Sequence, residues 1–188
     1  AVCSIAGSTV SFIGVGTCVI NANQAGNANY NAAPQVQQSF AVTKNDQTIS
    51  FTSAAPASAK VAGASYTVTA SATSSLTVTF SIDVSAAAVC TIAGSTVAFT
   101  GVGTCVINAN QAGNTNYNAA PQAQQTFAVA KGDQTISFTS IAPLTAKVGG
   151  SSYSVTATAS PSALAVAFTI DASATSVCTI SGSTVSFI

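Results

Sequence analysis

Apolar and polar residues alternate along most of this chain with a period of two, the signature of half-buried β-strands. In residues 47–53 (QTISFTS), Ile49 and Phe51 face one way while Thr48, Ser50 and Thr52 face the other. SYTVTASA sets Tyr66, Val68 and Ala70 on one face, and LTVTFSID sets Leu76, Val78, Phe80 and Ile82 inward. VCTI and STVAFT are separated by Ala93-Gly94, a turn signal that leaves Val97 and Phe99 on the apolar face. GTCVINANQ carries Cys105, Ile107 and Ala109 in phase, and QAQQTFAV ends the series with Phe127 and Val129. These seven segments, with no helical period among them, predict an all-β, seven-stranded β-sandwich with one solvated face per sheet.

The pattern repeats. VCSIAGSTVSFIGVGTCVINANQAGNANYN from Val2 returns almost unchanged from Val89, an offset of 87, and QTISFTS recurs at Gln47 and Gln134 at the same offset. VCTISGSTVSFI starts at Val177, 88 positions after Val89, and the extra residue falls in the loop between Thr158 and Leu164. A period this long suits a small independent domain better than a solenoid coil. The polar stretches Lys44-Asn45-Asp46 and Lys131-Gly132-Asp133 mark the boundaries. Residues 45–131 then form one complete repeat, 1–44 the C-terminal half of another, and 132–188 the N-terminal part of a third. The expected architecture is tandem sandwiches, beads on a string, with linkers too short for wide hinge motion. On this reading the chain opens and closes inside domains, as a window on a longer polymer-like chain would; an arbitrary fragment is the plainer alternative. No leader is visible at Ala1.

Composition narrows the chemistry. Only 4% of the 188 residues are charged (four lysines, four aspartates, no histidine) for a net charge of zero, while 48% are hydrophobic. Ordinary domains carry about 25% charged residues. A basic stripe for nucleic acid is missing, as is an apolar run of membrane-spanning length, so neither partner is expected. Without histidine there is no base for a nucleophilic triad. Asp46 and Asp83 are one linker and one strand-end residue, with nothing to pair them as glycosidase carboxylates. Gly101-Val102-Gly103 lacks the third glycine and following helix of a dinucleotide loop. Asp83 alone is too few carboxylates for a tight calcium site, and an amide crosslink through Lys60 is the remaining covalent option. The expectation is a non-enzyme without cofactor or metal.

The five cysteines follow the repeat. Cys3 and Cys18 are 15 apart, as are Cys90 and Cys105, and Cys178 is a third copy of the first position. Disulfides Cys3–Cys18 and Cys90–Cys105 are predicted, with Cys178 unpaired because its partner position lies beyond the window. They imply an oxidising, extracellular setting. Zinc needs four ligands per site, and each repeat supplies two cysteines.

The outward faces are Thr and Ser rather than Lys and Glu. Edge strands therefore lack charged gatekeepers, and two readings stay open: lateral or end-to-end association with copies of the chain, or a benign hydroxyl surface. The segment NANQAGNTNYNAAPQ offers Asn114, Asn116 and Tyr117 as a candidate binding tip for a partner or surface glycan; a structured loop held by Tyr117 is the simpler reading.

With QTISFTS, KVAGASYTVTASA, LTVTFSID, the cysteine pair of VCTIAGSTVAF and GTCVINA, and QAGNTNYNAAP in view, the whole chain resembles the bacterial immunoglobulin-like repeats of large secreted and cell-surface proteins. That resemblance implies a structural role in an extracellular filament or surface stalk. The alternatives are an adhesin or carbohydrate-binding repeat region, or a passive spacer to a domain elsewhere. Trp is absent, the tyrosine follows the second cysteine, and the disulfide spans only 15 positions, so the antibody-type bridge is not carried over.

Overall fold

The computed structural model describes residues 1–188, and the chain is all-β with several small sheets. It divides into two compact units, Ala1–Lys131 and Gly132–Ile188.

The first unit begins with two hairpins. β1 (Cys3–Ala6) pairs with β2 (Thr9–Phe12), and β3 (Gly16–Gln24) pairs with β4 (Ala33–Val42). The Cys3–Cys18 disulfide joins them, with Cα atoms 5.7 Å apart.

Nine strands follow in residues 45–131: β5 (Ile49–Phe51), β6 (Ala59–Lys60), β7 (Tyr66–Thr67), β8 (Ala70–Ala72), β9 (Thr79–Ile82), β10 (Cys90–Ala93), β11 (Thr96–Phe99), β12 (Gly103–Asn110) and β13 (Ala123–Ala130). One sheet has the order β6-β13-β12-β9, a second β10-β11-β7, and β5 pairs with β8. Ala59, Cys105, Ile107, Phe127 and Val129 from the first sheet share a core with Cys90, Val97 and Phe99 from the second. The Cys90–Cys105 disulfide ties these two sheets together, Cα to Cα 5.8 Å. Every buried side-chain nitrogen and oxygen has a hydrogen-bond partner, as a desolvated polar group requires.

Nine strands replace the seven expected, for two reasons. SYTVTASA alternates as read, with Val68 fully buried, but the backbone changes sheets there: Tyr66–Thr67 pairs with β11, and Ala70–Ala72 pairs with β5. The two-residue β6, parallel to β13, is too short to leave a period. A 3-10 turn occupies Val84–Ala86 and another Ala172–Ala174, each too short to leave a helical period. Each starts at an aspartate whose carboxylate accepts the backbone N–H two residues on, from Ser85 and Ser173. That is N-capping chemistry. No helix is long and apolar enough to cross a membrane.

The second unit holds β14 (Thr135–Phe138), β15 (Tyr153–Ser154), β16 (Ala157–Ser160), β17 (Cys178–Ser181) and β18 (Thr184–Phe187). β14 pairs with β16, and the β17–β18 hairpin adds β15 at its edge. Residues 167–170, the counterparts of β9, form no strand. In the first unit β9 exists because it pairs with β12.

Candidate functional site

The most constrained surface feature lies where the stretch Lys44-Asn45-Asp46 meets the loop after β12. The loop builds itself. Asn114 Oδ1 accepts the backbone N–H groups of Asn116 at 2.8 Å and Tyr117 at 2.9 Å, and the Asn114 N–H donates to the Tyr117 carbonyl at 3.0 Å. Gly113 sits at φ +76°, where a Cβ would run into the Tyr117 carbonyl oxygen, so only glycine fits without strain. Asn27, Tyr30 and Gly26 form the same turn in the first copy, with Asn27 Oδ1 accepting from Asn29 at 2.9 Å and Tyr30 at 3.1 Å.

The loop then clasps the linker. Asn45 and Tyr117 form a parallel β-bridge. The Asn45 N–H donates to the Asn116 carbonyl and the Asn118 N–H to the Asn45 carbonyl, both at 2.9 Å. Asn118 Nδ2 donates to Asp46 Oδ1 at 2.8 Å. Behind this bridge Gln47 is 3% exposed. Its Nε2 donates to Gln111 Oε1 and to the Asn118 carbonyl, each at 2.6 Å, and its Oε1 accepts from Ser74. Three segments far apart in sequence are thus tied by amides and one carboxylate.

Of the candidate binding residues, Asn114 spends its side-chain oxygen on the turn, Asn116 gives its carbonyl to the linker, and Tyr117 is half-buried. An open groove of about 420 Å³ lies beside them, with Phe12, Val15, Val42 and Lys44 opposite Asn116 and Tyr117.

The remaining sequence candidates are dispersed. Asp83 caps its 3-10 turn through Ser85 (Oγ to Oδ1, 2.7 Å) and accepts Asn108 Nδ2 at 3.2 Å. The Ser85 hydroxyl first, then the Ser85 N–H and Asn108, hold its pKa below 3.8. Asp171 is lowered in the same way by the Ser173 hydroxyl and N–H. Lys60 lies in β6. Both predicted disulfides are present, and Cys178 is a half-buried thiol 3.8 Å from the Ala174 carbonyl.

Sequence reasoning missed two groups. One is Gln47, whose only signal is its place directly after the linker in a recurring QTISF. The other is a network on the sandwich flank: the Tyr66 hydroxyl donates to Gln125 Oε1 at 2.8 Å and lies 2.5 Å from Ser53 Oγ, and Gln125 Nε2 donates to the Ser53 carbonyl at 2.9 Å. No protein-family model matches the chain, and no curated protein or solved structure matches it.

Proposed function

We propose that this chain is a structural component of a bacterial extracellular filament or surface stalk, built from tandem immunoglobulin-like sandwiches. The clasp at Asn45 carries the reading. A passive tether needs no buried glutamine and no backbone bridge, whereas a load-bearing joint needs its linker fixed to the domain that follows. The Gly113–Asn118 loop directs much of its hydrogen-bonding capacity into that joint.

Two further observations support the proposal. Each 15-residue bridge stabilises its hairpin pair by about 3 kcal/mol in the chain-entropy model, and such bridges persist outside the reducing cytoplasm. The near-uncharged surface leaves little long-range repulsion between neighbouring copies.

Electron micrographs of the native material test the reading. Extended, evenly beaded threads are expected. Compact particles without a repeat spacing would overturn it.

A further inference from the structure

The chain has four lysines, Lys44, Lys60, Lys131 and Lys147, and no arginine. Lys44 and Lys131 stand in the linkers, with exposed side chains. Exposed connecting segments are where a folded chain is nicked first. We propose that the clasp is also a guard: it closes the Lys44–Asn45 peptide bond to lysine-directed endopeptidases.

The bonds on either side of Lys44 carry the inference. An endopeptidase takes its substrate as an added strand, which needs a run of residues whose backbone N–H and C=O groups can pair with it. β4 runs to Val42, which is paired with Gly16. Asn45 is already bridged to Tyr117, with its N–H given to the Asn116 carbonyl and its carbonyl taken by the Asn118 N–H. Thr43 and Lys44 alone lie between these anchors. Beyond them, Gln47 is held by Gln111 and the Asn118 carbonyl. The Lys44 side chain therefore reaches water while the backbone around it is committed. A peptidase engages only when the clasp opens, and the rate of cutting follows the open population.

The other two kinds of lysine site frame this one. Lys131 is followed by Gly132-Asp133, so an aspartate stands in the same second place as Asp46 and the local sequences are alike. Gly132 enters no β-bridge, and residues 131–134 are exposed and lie outside β13 and β14. The Lys131–Gly132 bond is thus an open linker in the same molecule and measures the activity of the peptidase. Lys60 is closed by the sheet itself. The Val61 N–H donates to the Ala130 carbonyl at 3.0 Å, and the Lys60 carbonyl accepts the Gly63 N–H at 2.9 Å. Cutting at Lys60 therefore reports unfolding of residues 45–131.

The guard goes beyond the proposed array and does not depend on it, since it would act in any tandem chain exposed to peptidases. It is tested by timed digestion of the 188-residue chain with trypsin, the fragments being weighed by mass spectrometry. Neither disulfide spans Lys44 or Lys131, so each cut releases its fragment. In the folded chain the Lys44 bond should be cut about tenfold or more slowly than the Lys131 bond. In urea, with the disulfides intact, the two rates should come together. Gly113→Ala disturbs the turn that positions both backbone bonds to Asn45, and it should speed cutting at Lys44 about tenfold. Asn118→Ala removes only the side-chain bond to Asp46 and should speed it about threefold. Both variants leave residues 41–48 unaltered, so the change reports the clasp and not the preference of the peptidase. Gly26→Ala alters the same turn in the first copy, away from the linker, and should leave the Lys44 rate where it was. If Gly113→Ala also opens Lys60, the repeat has unfolded and Asn118→Ala decides. Equal rates at Lys44 and Lys131 in the folded chain overturn the inference. So does a Lys44 bond that stays slow in urea, a Lys44 rate unmoved by Asn118→Ala, or one that Gly26→Ala raises as much as Gly113→Ala. Micrographs of the native material decide the array separately.

Discussion

Residues 1–44 and 88–131 are nearly the same sequence in two surroundings. Their local structure is nearly the same. The disulfides have Cα separations of 5.7 and 5.8 Å, and the Phe12–Phe40 and Phe99–Phe127 rings both meet edge to face at 5.8 Å. Cys18 opposes Phe40 as Cys105 opposes Phe127. Burial differs sharply, from 63% exposure at Phe12 to 5% at Phe99. The hairpin ends differ as well: β3 runs to Gln24 with an irregularity after Ala22, whereas β12 stops at Asn110, next to Gln111, which is bonded to Gln47. Turns, register and cross-link are thus local properties of this sequence. The core belongs to the strands supplied from elsewhere.

The largest test of that division is a pair of truncations. Phe99→Ala should cost about 3–5 kcal/mol, the usual loss for a buried phenylalanine. Phe12→Ala, with most of its ring already in water, should cost less than about 1 kcal/mol. Urea unfolding followed by amide exchange in β12 and in β3 separates the two. Equal costs would mean that residues 1–44 have a core of their own.

Removing the disulfides comes next. Cys90→Ala with Cys105→Ala should lower the stability of residues 45–131 by about 3 kcal/mol, and the remaining sheets should still hold the fold. Cys3→Ala with Cys18→Ala should instead free β1–β2, because that hairpin pairs with no third strand. Amide protection at Ile5 and Val10 should vanish while protection at Ile107 stays.

The clasp gives a smaller effect. Gly113→Ala would meet the Tyr117 carbonyl oxygen and Gly26→Ala the Tyr30 carbonyl oxygen, at nearly the same φ, +76° and +75°, so each should cost on the order of 1–3 kcal/mol locally. Only Gly113→Ala should also speed amide exchange at Asn45 and Asn118, whose bonds depend on that turn. If Gly26→Ala had the same effect at Asn45, the clasp would not be what fixes the linker.

What the sequence made legible follows the same division. The two-residue alternation placed Cys105, Ile107 and Ala109 on one face, and all three are fully buried. The 15-residue cysteine spacing gave both bridges, because pairing within a repeat is a local matter. The switch of sheets at Val68 was hidden, since a strand that changes partners keeps its alternation. The clasp was hidden for another reason: Gln47 meets Gln111 and the Asn118 carbonyl 64 and 71 residues away, and a single glutamine leaves no periodic trace. The aspartate caps were legible in principle, because Asp-x-Ser recurs at Asp83 and Asp171 just past an alternating segment.

Those two aspartates offer the finest comparison. Both accept the hydroxyl and N–H of the serine two residues on, and in both the hydroxyl contributes most to holding the pKa below 3.8. Asp83 has a third donor, Asn108 Nδ2 on β12. Asp171 accepts only from the hydroxyl and N–H of Ser173. A carboxylate whose folded pKa is depressed stabilises the fold above its unfolded pKa, and the contribution is lost as pH falls through the folded value. Both turns should therefore hold at neutral pH and loosen only below about pH 3.8, with Asp171 protonating before Asp83. Carboxyl-carbon NMR titration measures the order directly. Asn108→Ala should move Asp83 toward Asp171 and leave Asp171 where it was. If the two titrate together in the unaltered chain, the strand brought in by β12 adds nothing to this cap, and the turn belongs with the local features.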